Sequence, residues 1–269
     1  MKPIIAIVNN KGGVGKTFIT LNLASVFSDD FNTLVIDTDP QNNIATTLYD
    51  HIIDEIEKKK NLANIYEGED AEIIKVFPDE FGKGENKKLY LIPGHRKIMQ
   101  QLGQTLKNQN YKLLKNNKFL NETIEKFDII FIDCPPDLNI FTYNALYLSN
   151  YLIIPVIPGK NELIGIENLF NAIDEISKDI GHKINILGAL INRYKLNRNL
   201  SAEFFELMEK YFGEEKIFSE VITESDVYGN AIFNNYPIDL FLNKSDSKVQ
   251  TFYNLKEEII KKIKLKKEE

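Results

Sequence analysis

Cysteine is almost missing from this 269-residue chain, with Cys134 alone. That excludes an intramolecular disulfide and any cluster held by several thiolates of one chain. No apolar run approaches the roughly 20 residues that a membrane-spanning helix needs, and residues 1–8 are too short. The chain also lacks a positively charged, apolar, small-residue leader, so a cytoplasmic location is expected. No linker is visible, and a composition 43% apolar and 27% charged shows no sign of global disorder. The expectation is one domain over residues 1–269, long enough to bury a sizeable core.

A further absence falls inside the most informative stretch. The phosphate-loop spacing G-x-x-x-x-G-K-[ST] wants glycine at position 10, and Asn10 stands there. Residues 11–17 run K-G-G-V-G-K-T, between an apolar run at 4–8 and an amphipathic segment at 21–27. This reads as strand, loop and helix. Gly12, Gly13 and Gly15 permit positive φ and close backbone approach, so the loop N–H groups, Val14 included, can converge on phosphate oxygens. The helix behind adds the positive end of its dipole. Lys16 would reach the β- and γ-phosphates and Thr17 would ligate Mg²⁺. Lys11 is surplus to the pattern, a second cation beside the same anion.

Residues 32–41 read as a buried strand running into a polar turn, with Asp37 and Asp39 at its carboxyl end. In open α/β sheets ligands bind at that edge. Residues 127–133 form another apolar strand closed by Asp133, a candidate second ligand to Mg²⁺ through water. Cys134 reads as a small buried residue. Short strands are also expected at 88–94, 151–158 and 183–192, with helices at 96–118 and 162–177 between them. Residues 50–80 read as polar helices and loops. Such alternation implies an α/β fold, a doubly wound and mainly parallel sheet with helices on both faces. Phe252, Leu255, Ile259, Ile260 and Ile263 recur at helical spacing, so residues 248–267 read as a packing helix rather than a membrane anchor.

The net charge of −6 is unevenly spread. Residues 83–118 carry nine Lys/Arg against Glu85, a net of +8 that leaves the remainder at −14. That segment is a candidate anion-facing surface.

K-G-G-V-G-K-T, then D-T-D-P-Q-N-N at 37–43, then F-D-I-I-F-I-D-C-P-P-D-L at 127–138 resemble, in that order, the ParA/MinD family of deviant-Walker P-loop ATPases. L-I-P-G at 91–94, residues 144–146, I-I-P-V-I-P at 153–158 and Gly165 extend the resemblance over most of residues 2–192. D-P-Q and I-D-C-P-P point to the ParA/Soj partition branch. The resemblance implies an ATP-sandwich homodimer in which Lys11 reaches the partner's phosphates and Asp39 orients the attacking water. Asp37 and Asp133 would serve the Mg²⁺ shell, and Asn192 would contact adenine. It also implies slow hydrolysis of ATP, stimulation by a ParB-like centromere-binding protein, and non-specific DNA binding.

Two departures stand out. Phe18 replaces a Ser or Thr common in relatives, removing a hydroxyl near the phosphates. Residues 219–239, where the family often carries DNA-binding arginines, hold Glu224 and Asp226 instead. A DNA surface would then need Arg193, Lys195, Arg198 and the basic 83–118 segment. The alternative is a MinD-like positioning switch that never touches DNA. A metabolic relative is disfavoured, since the nitrogenase iron-protein branch needs cluster cysteines absent here.

Overall fold

Consecutive Ile, Val and Leu residues, whose side chains suit a pleated and doubly covered surface, form the strands of a computed structural model that describes residues 2–49, 53–77, 84, 86–106, 111–159, 166–181, 183–195 and 202–266. In chain order the first half comprises β1 (Ile4–Ile7), α1 (Lys16–Phe27), β2 (Thr33–Asp37), α2 (Asn43–Tyr49), α3 (Ile53–Glu57), α4 (Leu62–Tyr66), β3 (Ile74–Lys75), β4 (Leu89–Ile92) and α5 (Arg96–Thr105). The second half comprises α6 (Leu113–Asn116), α7 (Lys118–Ile124), β5 (Ile129–Asp133), α8 (Ile140–Leu148), β6 (Tyr151–Val156), α9 (Ile166–Ile180), β7 (Asn185–Ile191), α10 (Ala202–Phe212), α11 (Asp226–Phe233), α12 (Ile238–Phe241) and α13 (Ser247–Ile263).

Among the described residues the strands make a seven-stranded sheet in the order β3-β4-β2-β5-β1-β6-β7. All pairs are parallel except β3 with β4. β3, two residues long at the edge, lies in the stretch read from sequence as helices and loops, because so short a strand leaves no period to detect. Alternation in β1 sends Ile5 and Ile7 into one core layer with Phe27 and Phe252, and Ile4, Ala6 and Val8 into the other with Leu146 and Ile173. Helices therefore cover both faces.

The sheet order sets β2, β5 and β1 side by side, with Asp37 opposite Asp133 and Asp133 opposite Ile7. Their carboxyl ends deliver the polar residues to one edge.

α1 departs from the amphipathic reading of 21–27. Leu21, Asn22, Leu23, Ala24, Ser25, Val26 and Phe27 are all buried. Its polar side chains are met by later elements: Asn22 Oδ1 accepts from the Ile238 N–H at 2.7 Å, and Ser25 Oγ donates to Asp239 at 2.8 Å. α13 packs along the same side through Phe252, Leu255 and Ile259, all fully buried. Among the described residues no helix is long and apolar enough to cross a membrane.

Candidate functional site

The loop between β1 and α1 is shaped by its own side chains. Asn9, buried, accepts the Lys11 N–H at 3.0 Å and donates to the Pro155 carbonyl at 2.7 Å, tying the loop to β6. Gly13 and Gly15 adopt φ of 75° and 93°, where an L side chain is strained. At Gly15 a Cβ would collide with Nδ2 of Asn192. Asn192 Nδ2 donates to the Val14 carbonyl at 2.8 Å, so the end of β7 braces the glycine turn.

Three groups converge at the mouth of α1. Lys16 Nζ donates to the Lys11 carbonyl at 2.8 Å. Thr17 Oγ1 donates to Asp133 Oδ2 at 2.7 Å, and Thr20, one turn on, reaches Asp133 Oδ1 at 3.4 Å. Asp37 uses both oxygens on backbone, accepting from the N–H of Asp39 and of Ile44 at 3.1 Å each, so its carboxylate pins the β2–α2 turn. Asp39 accepts the Gln41 N–H at 2.9 Å.

Burial dominates the electrostatics. It pushes Asp133 up to about 7, with Thr17 donating a hydrogen bond that opposes the rise and Asp39 adding repulsion. Asp37 is raised by burial and by the charges of Asp133 and Asp39. Asp39 is raised by burial against the Gln41 N–H and the Lys16 charge. Burial lowers Lys16, while Asp133 pulls it back. Cys134 is buried, and burial raises its thiol, as suits a packing residue.

Of these residues Lys16, Thr17 and Asp39 line a cleft of about 920 Å³, of a size with cofactor sites, whereas Asp37, Asp133 and Cys134 are fully buried behind it. Gly12, Gly13, Gly15, Lys16, Thr17 and Phe18 form its floor, Asp39 and Asn192 flank it, and α11 closes the far side. The Phe18 ring sits edge-on to Tyr228 of α11 at 4.9 Å and to Phe252 of α13 at 5.7 Å. In place of a hydroxyl it supplies an apolar wall. Lys11 is half-exposed, and its carbonyl accepts from Lys16.

Sequence reasoning missed Thr20, although its place three residues after Thr17 puts both on one helix face. It also missed Asn9 as the loop's brace, and Tyr228, whose partners lie far along the chain. Arg193 lines the cleft, where Nη1 donates to the Gly13 carbonyl at 3.4 Å. Lys195 pairs with Glu224 at 2.9 Å. Among the described residues, the basic 83–118 segment is not uniformly open to solvent. Lys87 is buried against Asp29 and Asp239, while Lys112 and Lys118 pair with Asp179 and Glu122. Lys83, Glu85, Lys107, Gly165 and Arg198 lie outside the described residues.

Comparison with known proteins bears on the family and the fold. A family model described as an AAA domain matches residues 2–186. The sporulation initiation inhibitor protein Soj of Bacillus subtilis is 30% identical, over 90% of this chain and 92% of that protein. The chromosome partitioning protein ParA of Caulobacter vibrioides is 27% identical, over 96% of this chain and 93% of that protein. A putative plasmid partition protein of Borrelia burgdorferi bound to AMPPNP superposes with a TM-score of 0.76 at 26% identity, covering 97% of this chain and all of that one.

Proposed function

The chain belongs to the AAA-domain family as a ParA/Soj-type ATPase, and from that membership we propose that it is a partition ATPase working as an ATP-dependent homodimer. The observation that carries the reading is the convergence of Thr17 on Asp133 at 2.7 Å, with Lys16 beside them and Asp39 on the wall of the same cleft.

The residues fit ATP with magnesium. A Cβ at Gly15 would displace Asn192, which braces the loop, and the loop amides with Lys16 suit phosphate. Among the described residues no three His, Cys, Asp or Glu converge as a cage, which suits an ion held by one or two protein oxygens and substrate phosphates. Thr17 and Asp133 would hold magnesium, which supplies neutralisation of phosphate charge. Lys16 binds the terminal phosphates, exchanging the Lys11 carbonyl for phosphate oxygen. Asp39 orients the attacking water and Lys11 reaches the partner's nucleotide. Asp37 acts on the metal shell through charge and by fixing the turn that carries Asp39. Asn192 and Phe18 flank the nucleoside. Positioning and charge stabilisation account for catalysis without a covalent intermediate.

In this reading the ATP dimer binds DNA without sequence preference and a ParB-like protein triggers release by stimulating hydrolysis. The test is size-exclusion with light scattering of Asp39→Ala, with ATP or ADP. Dimer with ATP and monomer with ADP is the expected result; a monomer under both conditions refutes the proposal. A second reading, a positioning switch that never touches DNA, is favoured by the ion-pairing of Lys87, Lys112, Lys118 and Lys195. Gel retardation of duplex DNA by the same variant with ATP separates the two.

A further inference from the structure

The sheet collects cations at the edge opposite the cleft. Lys2, Lys88, Lys126 and Lys183 each stand one to three residues ahead of a parallel strand, namely β1, β4, β5 and β7. Because those strands are parallel, their amino ends share one edge. The sheet order lays the lysines out in the sequence 88, 126, 2, 183. At about 4.8 Å per strand the row spans roughly 24 Å.

Lys88, Lys126 and Lys183 are exposed and Lys2 is half-buried, and among the described residues none of the four joins an ion pair. Lys2 also shares a cleft of about 280 Å³ with Lys115, Asn121 and Glu125. The carboxylates at this edge are mostly engaged. Asp29 pairs with Lys87, Asp30 with Lys256, Asp179 with Lys112, and Asp128 accepts the Asn32 N–H at 2.8 Å. Glu125, exposed beside Lys126, and Asp174, exposed and lining a cleft of about 190 Å³ with Lys183 and Lys216, are exceptions.

We propose that this lysine row on the amino edge of the sheet is the surface that binds the phosphate backbone of duplex DNA. The inference rests on the partition reading and supplies the contact surface that residues 219–239 lack. A row of point charges without apolar anchors suits phosphodiesters, whereas a membrane-surface element needs an apolar face. Ile232, one of the exposed large apolar residues, lines the nucleotide cleft at the opposite edge.

The test is fluorescence anisotropy of a labelled random-sequence duplex across a salt series, with full-length protein carrying Asp39→Ala and saturating ATP. Each phosphate contact contributes about 0.9 to the slope of log affinity against log salt. Lys126→Gln/Lys183→Gln should lower the slope by about 1.8 per protomer, and the change at all four lysines by about 3.6. Arg96→Gln/Lys97→Gln, at the opposite end of β4, should leave it unchanged. ATP binding and thermal unfolding should be unaffected in every variant. Parent protein that binds DNA with a slope the four-lysine variant preserves overturns the surface alone. Parent protein that binds ATP but no DNA overturns the partition reading as well. Sedimentation with phosphatidylserine vesicles forms the last arm: lysine-dependent vesicle binding without DNA binding replaces DNA by an anionic membrane and refutes the proposal.

Discussion

Lys87 offers a quantitative test of the packing beneath the site. Its ammonium meets Asp239 Oδ2 as an ionic contact at 2.6 Å, out of hydrogen-bond alignment, and hydrogen-bonds Asp29 and the Ser25 carbonyl at 2.8 Å each. The Lys87 side chain is 5% exposed and that of Asp239 1%. Lys87→Ala therefore strands the Asp239 carboxylate in the interior with only the Ser25 hydroxyl. Removing one partner of a buried pair costs about 3–5 kcal/mol. At about 2–4 °C per kcal/mol for a chain of this size, the melting temperature should drop by roughly 6–20 °C. Lys118→Ala is the control: its pair with Glu122 is 89% and 64% exposed, and the change should stay within about 0.5 kcal/mol. Urea unfolding followed by circular dichroism reads both. Lys87→Met combined with Asp239→Asn should recover part of the loss, because no charge is then left alone. A loss below about 1 kcal/mol for Lys87→Ala, equal to the control, would refute the reasoning.

The same cluster fixes a pH dependence. Burial alone would raise Asp29, but Lys87 and the Tyr253 hydroxyl hold its carboxyl below the ordinary value. A depressed folded value means stability that is present above the unfolded pKa near 3.8 and lost as pH falls through the folded one. Asp29→Asn should thus lower the urea midpoint at pH 7 and flatten its decline below pH 4, measured between pH 3 and 7. Gly15→Ala should weaken binding of a fluorescent ATP analogue by tenfold or more, since left-handed backbone costs an alanine about 1–2 kcal/mol before the collision with Asn192 is counted. Titration by anisotropy measures it, and unchanged affinity would remove Asn192 as the brace. Lys16→Ala should lose nucleotide binding in the same assay. Lys11→Ala should keep binding but fail to dimerise with ATP in light scattering; normal dimerisation would end the cross-subunit role.

The strands and the phosphate loop were legible because their signals are local. Runs such as 129–133 and the glycines at 12, 13 and 15 need no knowledge of the rest of the chain. The convergence of Asp37 and Asp133 followed from the rule that places ligands at strand carboxyl ends. What could not be read depends on elements distant in sequence. The burial of Asn22 and Ser25 on α1 is caused by residues 238 and 239, and Phe18 finds its partners at 228 and 252. Charge counting failed over 83–118 for a similar reason: a one-dimensional tally treats Lys87, sealed in the core, as equal to Lys88, which is exposed.

The clasp of α13 over α1 bears on how the molecule is made. On the ribosome the nucleotide loop is made long before the hydrophobic lid of the helix behind it, which is encoded at residues 252–259. A nascent chain cannot complete that clasp until residues 252–259 have been made, so the buried face of α1, including Leu23 and Phe27, stays uncovered while the more than two hundred intervening residues are synthesised.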